Sequence, residues 1–89
     1  MVAQRTEQQR FRDERDQAAL RDGSWALRRL VDRNYFHGAG ATLYAVCEVM
    51  DRVALDMAAV DAGVRSCLLN VAERAQTDAR IDRERSTRP

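Results

Sequence analysis

Lysine is missing from this chain: all 15 basic residues among its 89 are arginine. That excludes lysine nucleophiles and Schiff-base chemistry, and the bias matches GC-rich genomes such as those of actinobacteria and their phages. Charge of one sign is also scarce. A formal net charge of +1 excludes a broadly basic nucleic-acid binder and an acidic-tail protein. No apolar run approaches the ~18 residues of a membrane span; the longest uncharged stretch, Asn34 to Cys47, is interrupted by Gly38 and Gly40. Met1-Val2-Ala3-Gln4-Arg5 lacks the apolar segment of a secretory signal, so a cytoplasmic protein is expected. Cys47 and Cys67 stand twenty apart with no Cys-x-x-Cys, which makes neither a disulfide framework nor a zinc knuckle.

Catalytic sets are equally scarce. His37 is the one histidine, with no serine, cysteine or carboxylate close by to complete a nucleophile–base pair. It reads as a polar residue at a helix C-terminus, where an imidazole suits the dipole. Glu48, Asp51, Asp56 and Asp61 follow one another along a helical pattern, but the Glu-x-x-His pairing of helical di-metal sites is absent. A protein without catalysis, cofactor or metal is expected.

Large apolar side chains are few and concentrated. Fourteen hydrophobic residues are alanine and two cysteine, leaving 24 larger ones, of which 19 fall within residues 25–71. The chain therefore divides into a charged N-terminal helix (1–22), a helical core (23–75), and a charged helix end with a disordered tail (76–89). No segment alternates with period two, so strand is not expected. Thr6 and Gln9 have capping-box spacing, and Arg10–Glu14 and Arg12–Asp16 are i,i+4 pairs of opposite sign. Asp22-Gly23-Ser24 reads as a break, with Ser24 capping a second helix to about Phe36. Gly38 and Gly40 supply the left-handed turn that follows.

Thr42 is the natural cap of a long last helix. Leu43, Val46, Met50, Val53, Met57, Val60, Val64, Cys67 and Val71 keep a strict 3-4-3-4 spacing. The phase runs through Gly63, which favours one continuous helix over 42–75 or beyond, about 50 Å long. Leu55 and Leu69 lie on roughly the opposite face, so this helix needs two neighbours: the 25–36 helix and a second copy of the chain. Residues 23–41 carry +2 and residues 42–64 carry −3, which favours pairing of Arg28, Arg29 and Arg33 with the acidic residues of the long helix. The expected fold is all-α, a helical hairpin or three-helix arrangement with one long C-terminal helix, dimeric.

Leu55–Arg74 carries a second possibility. Ala59 and Gly63 fall where helix-turn-helix motifs have a small residue and a turn glycine, with Ala58, Ala62, Val64, Leu69 and Ala72 at buried positions. Over these twenty residues the stretch resembles the DNA-binding half of bacterial repressors. The resemblance implies that Arg65, Ser66, Cys67 and Asn70 face the major groove, Arg65 reading guanine and Asn70 adenine. The surrounding charge runs the other way, since phosphate binding needs more arginine. Two helices around Phe36-His37-Gly38 also resemble in shape the WXG family of actinobacterial secretion substrates, although the tryptophan here stands at position 25.

The leading expectation is a small protein–protein interaction module, an adaptor, inhibitor or antitoxin-like regulator, with a helix-turn-helix regulator as the alternative. Its partner surface is expected on Met50, Val53, Met57, Val60 and Val64 of the seam, with Trp25, Tyr35, Phe36, His37 and Tyr44 around the turn.

Overall fold

The computed structural model describes residues 6–87; of the tail expected at Ser86–Pro89, Ser86 and Thr87 are helical instead, and Arg88 and Pro89 lie outside the described residues. Three helices account for the fold, α1 (Glu7–Asp32), α2 (Gly40–Leu55) and α3 (Ala62–Thr87), with one 3-10 turn at Met57–Ala59 before α3. The all-α, three-helix arrangement with a long last helix is as expected. Its boundaries differ at three places, each for a local reason.

α1 begins at the predicted capping box: the Gln9 N–H donates to Thr6 Oγ1 at 3.1 Å, and the Thr6 N–H donates to Gln9 Oε1 at 3.0 Å. It then runs unbroken through Asp22-Gly23-Ser24. Gly23 is there for packing: a Cβ on it would lie 2.3 Å from the Ala72 Cβ and 2.5 Å from the Ala72 Cα. Two helix backbones meet where one has no side chain. Ser24 is buried and caps nothing; its Oγ donates to the Cys47 carbonyl across to α2 at 3.3 Å.

α1 ends at Asp32, short of Phe36, with Asn34 left-handed (φ 57°). In the loop that follows, His37 (φ 53°), Gly38 (φ 135°) and Ala39 (φ 60°) turn the chain. Gly38 plays its predicted part, but the positive-φ positions beside it fall to His37 and Ala39, and Gly40 is already helical. The cap of α2 is Ala39, without a side-chain hydrogen bond, and Thr42 lies inside the helix.

The continuous 42–75 helix does not form. Asp56 leaves helical geometry (φ −147°, ψ 78°) and buried Met57 anchors the short turn. Asp61 then starts α3: its Oδ1 accepts from the Gly63 N–H at 2.8 Å and more weakly from the Val64 N–H at 3.4 Å, the work of an N-cap aspartate. Gly63 sits in the first turn of α3 and has no positive φ. Heptad phase continues in the sequence across the interruption but not in the packing: α3 buries Leu68, Ala72 and Ala75 against α1, one position out of phase with the exposed Val64 and Cys67.

α2 runs antiparallel to α1, with the Gln17 side chain donating to the Ala54 carbonyl near one end and the Tyr44 hydroxyl to Asp32 near the other. α3 runs parallel to α1 in constant register: Asp16 meets Arg65, Gly23 meets Ala72 and Arg33 meets Asp82. α1 is thus the shared spine, while α2 and α3 barely touch each other. One core joins Leu20 and Leu27 of α1 to Met50, Met57, Leu68 and Ala72. The radius of gyration, 15.0 Å, exceeds the ~12 Å of a compact domain of this length.

Gly23→Ala tests the crossing. Alanine is the better helix former by up to ~1 kcal/mol, yet here its methyl group overlaps Ala72. A net loss of about 1–3 kcal/mol is expected, visible as a drop in the thermal midpoint by circular dichroism. A raised midpoint would contradict the close crossing.

Candidate functional site

Charged side chains lock α1 to its neighbours. At the lower end Arg65 reaches between two α1 carboxylates, Nη1 to Asp13 Oδ1 at 2.8 Å and Nη2 to Asp16 Oδ2 at 2.6 Å, with Nε also donating to Asp16 at 3.0 Å. All three side chains are 11–17% exposed. Midway, Arg28 pairs with Asp51 of α2 at 2.6 Å and donates to Ser24 Oγ at 3.2 Å. The Asp51 hydrogen bond holds the Arg28 pKa above its ordinary value, against a smaller opposing effect of burial. At the upper end Arg33 donates to Asp82 and, at 2.8 Å, to Ser86. The predicted attraction between the basic and acidic segments is therefore realised by Arg28 alone. Arg33 turns to α3, and Arg29 has no ion pair among the described residues.

The expected interface residues separate into core and surface. Met50 and Met57 are core side chains packed beneath α1, so they do not form an open seam. Val53 and Val60 are half-buried and Val64 is exposed. Tyr35 and Phe36 stack edge to face with centroids 5.0 Å apart, and His37 is exposed beside them. Tyr44 is exposed on α2, and its hydrogen bond to Asp32 raises the phenol pKa. Trp25 is 66% exposed in the C-terminal third of α1.

Two of the shallow grooves on the surface adjoin these residues. The first, about 380 Å³, lies where α2 and α3 splay apart: Leu27 forms its floor, with Phe36, Leu43, Cys67 and Val71 along its sides and Asp78 at the rim. Asp78 is largely buried, and its ion-pair partner among the described residues is Arg74, 3.4 Å away on a side chain that is 80% exposed. The second, about 360 Å³, lies between α1 and α3 beside Trp25, over Ala26, Leu30 and Ala79. The sequence hid the first groove because its two walls read as one helix.

The proposed DNA-reading residues have different surroundings. The turn of Leu55–Arg74 falls at Asp56–Asp61, ahead of Gly63. Arg65 is occupied by Asp13 and Asp16, whereas Ser66 and Asn70 are exposed on α3. Among the described residues no group of three or more histidine, cysteine or acidic side chains is placed to hold a metal ion. No described helix is long and apolar enough to cross a membrane. No protein-family model matches the chain, and neither does any curated protein or solved structure.

Two outcomes check this geometry. Arg65→Met leaves two carboxylates facing each other without the guanidinium between them; a loss on the order of 3 kcal/mol is expected, read from urea unfolding. The thiols should also separate. Burial raises the pKa of Cys47, whereas Cys67 is exposed, so iodoacetamide at neutral pH should label Cys67 alone until the protein is denatured.

Proposed function

We propose that this chain is a small non-catalytic protein-interaction module, an adaptor or inhibitor, that receives an amphipathic helix of its partner in the α2/α3 groove. The observation that carries this is the splay of α2 from α3: both pack along α1, yet Leu43, Cys67 and Val71 are left partly or fully open above the buried floor of Leu27. A fourth helix laid there would complete a four-helix bundle and take up the apolar surface of two helices at once. Asp78, whose ion-pair partner among the described residues is a solvent-exposed arginine, adds an acceptor at the rim for a basic or amide side chain of the partner.

A DNA-binding regulator has less support. Arg65, the guanine-reading candidate, already serves two carboxylates, which leaves Ser66 and Asn70 as the exposed candidates on that stretch.

Affinity capture from the encoding organism with matched variants tests the proposal. The wild-type chain and Ser66→Arg, whose change lies outside the groove lining, should retain one specific protein; Cys67→Arg, at the groove wall, should lose it while keeping its helix content. Equal recovery by all three chains would refute the groove. Salt-dependent binding to random duplex DNA at micromolar concentration would favour the regulator instead.

A further inference from the structure

We propose that the outer face of α1 pairs two copies of this chain antiparallel, about a two-fold axis beside Trp25. This surface borders the α1/α3 groove and not the α2/α3 groove, so it stands whether or not that groove takes a partner. Asp22, Trp25 and Arg29 occupy i, i+3 and i+7 of one helix and form a single stripe. All three are exposed, and the side chains of Asp22 and Arg29 have no hydrogen bond or ion pair among the described residues. An indole that is 66% exposed with an acid one turn below it and a base one turn above makes a self-complementary pattern.

The register follows from the spacing. If Trp25 of one copy lies over Ala26 of the other, the axis passes midway between positions 25 and 26. Asp22 and Arg29 are equally distant from that midpoint, about 5 Å along the helix on either side. Asp22 of each copy then faces Arg29 of the other, and the interface closes on itself with two equivalent ion pairs. A parallel pairing would set Asp22 on Asp22 and Arg29 on Arg29, which like-charge repulsion disfavours. The floor beside Trp25 also suits the arrangement. Ala26 and Ala79 are small and half-buried over buried Leu30, leaving room for the indole of the second copy. Tryptophan and arginine are the side chains that most often anchor protein interfaces.

Sedimentation equilibrium on the full chain, with charge-swapped variants, decides the proposal. The wild type is expected to associate to twice its 10.1 kDa chain mass, and the fluorescence of Trp25, the one tryptophan, should shift to the blue as concentration rises. Asp22→Arg and Arg29→Asp should each weaken association about tenfold, since each replaces two attractions with two repulsions. The double variant should recover the wild-type constant, because the exchanged charges again face each other. Both positions are exposed, so circular dichroism should show unchanged helix content throughout. A wild-type chain that stays monomeric would overturn the proposal, as would single variants that associate normally or a double variant no tighter than the singles.

Discussion

The contact of Gly23 with Ala72 is the constraint on which the rest of the arrangement depends. With no side chain on Gly23, α1 and α3 approach until backbone atoms meet, and a helix pair held that closely has little freedom to slide. The parallel register so defined places Arg65 between Asp13 and Asp16 at one end and Arg33 against Asp82 and Ser86 at the other. One missing methyl group thus positions two ion-pair clamps, seven to ten residues away on one side and ten on the other. It also shapes the candidate site. α3 lies tight against the spine and barely meets α2, so Leu43 of α2 stands apart from Cys67 and Val71 of α3 as the walls of a groove over Leu27.

Arginine suits the clamps better than lysine would. Arg65 uses three nitrogens for two carboxylates on successive turns of α1, and Arg28 reaches both Asp51 and Ser24. A planar guanidinium can satisfy acceptors in two directions at once, whereas an ammonium is a single point charge. Each clamp ties a different part of the chain to α1, which matters in a domain whose core is built from few large side chains. Charged residues that read as a solvated helix are thereby partly structural. Asp13 and Asp16 belong to the segment expected to be a separate charged helix, yet they hold the start of α3.

Much of the fold was legible because it rests on local rules. Period-three-and-four patterning, the absence of alternating segments and the Thr6–Gln9 capping box all act within a few residues. The Arg28–Asp51 pair was accessible from the charge contrast between segments. The interruption at Asp56–Asp61 was harder to see, because Met50, Met57 and Val64 keep heptad phase across it. Its one local signal was Asp61, an aspartate two residues before a glycine, able to cap a helix that the unbroken seam gave no reason to start there. The α2/α3 groove was hidden for the same reason: with one helix assumed, Met50 and Met57 belonged to an open seam, and once the chain folds back they belong to the core.

By itself, the sequence determined that this protein is helical, where its apolar residues concentrate, and how α1 begins, because backbone propensity and capping depend on near neighbours. Tertiary structure alone decided what Gly23 and Arg65 do. A glycine in a helical pattern can mark a break or a close crossing, and an arginine can face solvent, DNA or a carboxylate. The choice rests with Ala72, Asp13 and Asp16, about 50 residues distant along the chain, which only packing brings within reach.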